Sequence, residues 1–355
     1  MLAIKLPQHY LQQADLLSRA AQYLAPLGRR PFIISTPGAW RAVAPQLQPA
    51  LAEAGIFAEP HWLEGYCTTQ AVEKLQRLAR DQQADLIIGI GGGRVLDAAK
   101  AVGDGEESWP VVTVPTQAAT CAAWSPVSIF YDEQGGHSRS APLKKLPALV
   151  LADSGVIARS DVRYLKAGIV DALAKWFEFQ PYQQQEPHRL SLNLKALMAR
   201  EALRVFETFG AQALEDCRQQ KITPALTQTI DGCIALAGLA NSVRDELPTP
   251  GFAHAIHNRL TRQPELRDWL HGEKVGFCLL IQSILQHGEA DPALLQLLRQ
   301  FDAPLRLPEL QGPRAQALRR IAQEVSFPAG AAARLPFATD GAALEQALLL
   351  ADRLF

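Results

Sequence analysis

Asp85-Leu-Ile-Ile-Gly-Ile-Gly-Gly-Gly-Arg-Val-Leu-Asp-Ala-Ala-Lys100 decides how the rest of the chain is read. An apolar run suited to a buried strand leads into three consecutive glycines and then into apolar spacing typical of a helix. Gly91, Gly92 and Gly93 let a ligand come close to the backbone. A helix opening at Arg94 offers free N–H groups and a positive dipole end to a phosphate. Taken alone, the run is also compatible with a plain tight strand-to-helix turn, because the position of the last glycine in a G-x-G-x-x-G pattern is held by Arg94.

Around this run, short apolar segments alternate with helical ones. Strands are expected at Phe32 to Ser35, Asp85 to Ile90, Val111 to Val114, Val127 to Tyr131 and Ala148 to Leu151, with helices over Trp40 to Ala54 and Thr69 to Asp81. That alternation predicts a mostly parallel sheet. The turn residues Asp132-Glu-Gln-Gly-Gly136 add one local antiparallel hairpin. From Asp161 onward, helical periodicity takes over at Ala167 to Phe179, Arg189 to Gly210, Thr223 to Asn241 and Gly272 to Gln286. The expected architecture is an α/β, Rossmann-like dinucleotide-binding domain over 1–160, followed by an all-α metal-binding domain over 161–355. The active site is expected in the cleft between them.

The bulk properties fit two ordinary globular cores. The chain has 355 residues, 48% hydrophobic and 20% charged, with 35 basic against 36 acidic residues. This balance gives no electrostatic case for nucleic acid. No window approaches the ~20 apolar residues of a membrane span. The five scattered cysteines form no C-x-x-C pair, so neither a zinc ribbon nor a disulfide framework is indicated. The start lacks a secretory pattern, and a reducing cytoplasm is the expected location. A small-molecule substrate and a closed homo-oligomer are the expected partners.

Three segments carry metal-binding residue types. Asp171 opens Asp-Ala-Leu-Ala-Lys-Trp-Phe-Glu178, His254 and His257 lie three apart on one helix face, and His271 begins His-Gly-Glu-Lys-Val-Gly276. A carboxylate and two imidazoles suit zinc or another divalent first-row ion. Each residue also has a plain explanation as a cap or a core neighbour, and spacing alone does not select these among the eight histidines.

Five blocks in order do select them: Gly89-Ile-Gly-Gly-Gly93 with Asp97 and Lys100; Val114-Pro-Thr116 with Ser125; Ala167-Gly-Ile-Val-Asp-Ala-Leu-Ala-Lys-Trp176; Ala253-His-Ala-Ile-His-Asn258; and His271-Gly-Glu-Lys-Val275. Through them the chain resembles the iron-containing alcohol dehydrogenase superfamily, in its glycerol dehydrogenase-like branch. The resemblance implies a divalent ion, Zn²⁺ or else Fe²⁺ or another metal, on Asp171, His254 and His271, with His257 as a neighbour or proton-relay partner. It implies NAD(P)(H), with pyrophosphate contacts at Gly91 to Arg94, a contribution from Asp97, and Thr116, Ser125, Val127 and Tyr131 on the nicotinamide side. Ser35-Thr-Pro-Gly38 lacks the ribose-binding acid of strict NAD enzymes, so NADP(H) is admitted.

One departure bears on substrate. Where glycerol dehydrogenases carry a polyol-binding aspartate in Pro115-Thr-Gln-Ala-Ala-Thr-Cys-Ala-Ala-Trp-Ser-Pro126, this chain has Cys121. A thiol lacks the two acceptor oxygens and the negative charge. Thr120-Cys-Ala-Ala-Trp124 is similar instead to a bacterial hydroxycarboxylate dehydrogenase. The sequence expectation is therefore hydride transfer between NAD(P)H and a 2-oxo or 2-hydroxy acid, with Arg259 or the Lys144-Lys145 pair holding the substrate carboxylate. Glycerol oxidation with NAD and zinc is the alternative. A dehydroquinate synthase-like lyase and an inactive nicotinamide-binding protein stand further off.

Overall fold

The computed structural model describes residues 1–105 and 107–355. Its strands are β1 (Ala3–Ile4), β2 (His9–Gln13), β3 (Pro31–Ser35), β4 (Pro60–Trp62), β5 (Leu86–Gly91), β6 (Val111–Pro115), β7 (Val127–Tyr131), β8 (His137–Pro142), β9 (Leu149–Asp153) and β10 (Val243–Arg244). Six of them form one sheet in the order β2-β9-β6-β5-β3-β4, with every neighbouring pair parallel. The four inner strands are buried along their whole length. Helices cover both faces, so these strands read as continuous apolar runs rather than as alternations.

The expected strands are all present, and β7 and β8 form the expected antiparallel hairpin. Two strands of the six-stranded sheet carry no comparable sequence signal. β2 is His-Tyr-Leu-Gln-Gln and β4 is three residues long, and each lies at an edge of the sheet with part of its surface exposed. An edge strand needs no unbroken apolar run.

The connection from β3 leads outward to β4, whereas that from β5 leads the other way to β6. The carboxyl ends of β3 and β5 therefore flank a topological switch point, where open α/β sheets form a ligand crevice. Thr36 and Gly38 follow β3 there, and Gly92 and Gly93 follow β5.

The second half is helical. Its long members are Val162–Gln185, Leu190–Arg218 and His271–His287, with the shorter Phe252–Leu260 between the last two. The first of these begins just after residue 160, where the sequence expectation divides the chain. The main helical core also takes in Ala118, Cys121 and Trp124 from the first half. Among the described residues, no helix is long and apolar enough to cross a membrane.

Two backbone approaches bring the cleft together. A Cβ on Gly168 would lie 1.7 Å from the carbonyl oxygen of Ala118, and one on Gly272 would lie 1.8 Å from that of Ala167. The Val162–Gln185 helix thus touches the 115–126 loop at one point and the start of the His271–His287 helix at the next. Neither contact tolerates a side chain. Gly168→Ala should cost about 3 kcal/mol of stability in urea unfolding. Gly330→Ala, where a Cβ would meet nothing within 4 Å, should stay within about 0.5 kcal/mol. Equal unfolding midpoints for the two variants would refute this reading of the packing.

Candidate active site

The cleft is about 1580 Å³ and runs from the switch point across the 116–126 loop into the helical half. This exceeds the ~300–1,000 Å³ of a pocket for one small ligand, which leaves room for a dinucleotide and a substrate together.

Asp171, His254 and His271 converge on it from three helices. Asp171 is 3% exposed, and its Oδ1 lies 3.3 Å from Nε2 of His254 and 3.2 Å from Nε2 of His271. The three donor atoms all lie within 4.8 Å of one another. A tetrahedral zinc with bonds of about 2.0–2.1 Å needs donors about 3.3 Å apart. The carboxylate-to-imidazole separations fit that ion, and the donor set suits a divalent first-row metal.

The support behind this triangle lies largely on the same helix as Asp171. Lys175 and Glu178 follow at i+4 and i+7, on the same face. Glu178 accepts from the backbone N–H of His254 at 2.9 Å and from its Nδ1 at 2.8 Å. That bond fixes the ring and leaves Nε2 bare toward Asp171. Gly251 makes room for Glu178, since a Cβ there would fall 2.0 Å from the carboxyl. The Lys175 ammonium stands 3.5 Å from Asp171 Oδ1 and 3.4 Å from His254 Nε2.

The charges follow from burial and pairing. Burial alone would raise the Asp171 carboxyl, but Lys175 and His271 with the imidazole hydrogen bonds hold it well below the usual carboxylate range. Burial opposes a charged His254, yet the Glu178 carboxylate overcomes this and raises its pKa. His257 behaves differently. Burial and the neighbouring His271 and His254 push it well below the ordinary histidine value, so it is a neutral imidazole. Its Nδ1 lies 3.2 Å from Asn258 Oδ1, and its ring packs 4.3 Å from that of His271.

On the dinucleotide side, Gly92, Gly93, Arg94, Asp97, Thr116, Ser125, Val127 and Tyr131 all line the cleft. Gly91 sits one step back as the last residue of β5, its carbonyl taken by Thr116 N–H. Arg94 lies over the Tyr66 ring and bonds the Gly65 carbonyl. Asp97 pairs with Lys100 at 2.9 Å, and Lys100 in turn donates to the carbonyls of Ser125 and Val127. This buried pair holds the 125–127 segment in place. Among the described residues no carboxylate follows Thr36 to Gly38 along the cleft wall.

Cys121 also lines the cleft, where Asn241 Nδ2 reaches its sulfur at 3.5 Å. Burial pushes its pKa up to about 11, so it is a neutral thiol at pH 7.

The sequence expectation for Arg259 needs correcting. Five residues past His254 is about 500° around a helix, which points Arg259 about 140° away from the ligand face. It instead meets Glu324 at 2.5 Å, outside the cleft. Lys144 and Lys145 are also outside it, their backbone N–H groups bound by Asp104. Glu178, Lys175 and Asn241 were not singled out from sequence. The first two share the face of Asp171 at i+7 and i+4, and this spacing was available to find them.

The chain also matches known proteins. Residues 7–154 match the family model of iron-containing alcohol dehydrogenase. A glycerol dehydrogenase of Pseudomonas putida is 32% identical over 99% of this chain and 97% of its own. Hydroxycarboxylate dehydrogenase A of Escherichia coli K12 is 35% identical over 76% of this chain and 74% of its own. The crystal structure of a probable glycerol dehydrogenase from Sinorhizobium meliloti 1021 superposes with a TM-score of 0.86 at 26% identity, covering 99% and 98% of the two chains. With its parallel-sheet and helical halves and its cleft between them, the chain belongs to the iron-containing alcohol dehydrogenases, in their glycerol dehydrogenase-like branch, and is a metal-dependent oxidoreductase acting on CH–OH groups.

Proposed function

We propose that the chain transfers hydride between NAD(P)(H) and a small vicinal hydroxy compound, with Asp171, His254 and His271 holding a divalent ion. Zinc is the ion that the separations favour. The observation that carries this reading is the triangle of donor atoms, with two imidazole nitrogens at 3.2 and 3.3 Å from one carboxylate oxygen, set in the cleft that the glycine loop opens. Glycerol and related polyols are the first substrate class, supported by the relatives that bear the name glycerol dehydrogenase. The absence of a carboxylate after β3 suits NADP(H) as well as NAD(H).

When bound, the ion stabilises negative charge on the substrate oxygen, and the nicotinamide exchanges the hydride. The remaining work falls to side chains. Glu178 orients His254, and Asp171 stays ionised because its neighbours outweigh its burial. His257 is neutral. With Nδ1–H donating to Asn258, its Nε2 is free to receive the proton that leaves an alcohol. The 116–126 loop and the start of β7, fixed from behind by Lys100, carry Thr116, Ser125 and Val127 on the nicotinamide side.

A second reading, transfer to and from 2-oxo and 2-hydroxy acids, is favoured by the Cys121 region. There the cleft presents a neutral thiol and, close by, the Lys175 ammonium, a combination that does not repel a carboxylate. The hydroxycarboxylate dehydrogenase relative supports it.

Three measurements test these readings. His254→Ala, or removal of the metal by a chelator, should abolish turnover while cofactor binding, followed by fluorescence, persists; full activity of metal-free protein would refute the metal role. Glu178→Gln should weaken metal binding about 10–100-fold in competition with a chromophoric chelator. Cys121→Asp should raise kcat/KM for glycerol relative to a 2-oxo acid by about ten-fold, since it supplies two acceptors and a negative charge. An unchanged ratio would remove the support that Cys121 gives to the acid reading.

A further inference from the structure

The cleft does not end at the metal donors. It continues between the Val162–Gln185 and Leu190–Arg218 helices toward β10, where Phe179, Ser191, Lys195, Arg244 and Asp245 form its wall. Lys195 is only 8% exposed. Among the described residues its ammonium has neither a hydrogen bond nor an ion pair, and its one polar contact is the face of the Phe179 ring, 4.7 Å away. Arg244, at the rim, likewise has no side-chain partner among the described residues.

The nearest acid offsets them only in part. Asp245 accepts from Arg189 at 2.7 Å, from the Ser191 hydroxyl and from the backbone of Leu247, so its oxygens are already engaged. An ammonium removed from water without an acceptor is costly. Burial and the charge of Arg244 lower the pKa of Lys195 to about 8, although Asp245 acts the other way. The charge of Lys175, beside the candidate metal donors, acts in the same direction, and one cleft is lined by both lysines.

We propose that Lys195 and Arg244 form a subsite for an anionic group, a carboxylate or a phosphate monoester, on the end of the substrate remote from the carbon that exchanges hydride. An anion there would supply the acceptors that Lys195 lacks, and the Arg244 fork would close over it from the rim. Phe179 holds the lysine stem and keeps the charge directed into the cleft. This inference rests on the dehydrogenase reading above and narrows it: the substrate is a small hydroxy compound with a distal negative charge, whether its reacting end is a diol or a hydroxy acid.

The test compares substrates that share a vicinal diol and differ at the other end: 1,2-butanediol, 3,4-dihydroxybutanoate and glycerol 3-phosphate. With zinc-loaded protein, one of the two anionic diols should exceed the neutral one in kcat/KM by about ten-fold, and which one does so identifies carboxylate or phosphate. Lys195→Met, which keeps the stem and removes the charge, should erase that preference. Arg244→Gln, at an exposed position that leaves folding intact, should reduce it by a smaller factor. A neutral diol preferred by the unaltered protein, or a preference that survives both variants, overturns the proposal.

Calorimetric titration of the zinc- and NAD-loaded protein with malonate and with inorganic phosphate needs no turnover. Binding weakened about ten-fold by Lys195→Met supports the subsite even if no diol is oxidised, in which case the dehydrogenase reading fails alone. Oxidation of the neutral diol, without anion binding that depends on Lys195, sinks the subsite and leaves the dehydrogenase reading standing.

Discussion

The buried carboxylate of Asp171 is the constraint around which the helical half is arranged. A negative charge that is 3% exposed survives only if its surroundings compensate it. Lys175 does so from the same helix, and His254 and His271 do so from two others, each within 3.5 Å of the same oxygen. Removing any one of the three imbalances the rest. The helix contacts, the glycine at 251 and the Glu178 bond to His254 all serve to keep those groups at that distance.

The same arrangement separates two tasks along one cleft. At the sheet end backbone forms the wall: Gly92 and Gly93 line the cleft, and the buried Asp97–Lys100 pair fixes the segment opposite. At the helical end side chains do it, and they carry charge. Cys121 lies between these regimes as a neutral thiol held by Asn241. Its lack of charge lets the cations beyond it govern what enters.

Much of this was legible in the sequence, for identifiable reasons. The inner strands are buried on both faces, so Leu86–Gly91 and Val111–Pro115 stand out as apolar runs, while β2 and β4 do not because each meets solvent at an edge. The family blocks brought Asp171, His254 and His271 forward, and the structure does gather them. Arg259 misled because a charge near a histidine in sequence can lie on the opposite side of a helix. Lys195 and Arg244 were not legible at all. Their significance is the lack of a partner, and that depends on where Asp245, Arg189 and Ser191 fold, not on any local pattern.

The contact between Gly168 and the carbonyl of Ala118 has a consequence for motion. Backbone packed directly on backbone leaves no side chain to rotate and no gap to close, so the 115–126 loop and the helix that carries Asp171 are joined as one body there. Any change in the width of the cleft leaves this seam whole. The stretch after β3 around Gly38 and the β7–β8 hairpin tip at Gly135, packed against Tyr66, line the cleft away from it. The spacing between the loop and the Asp171 helix is then set once, in folding.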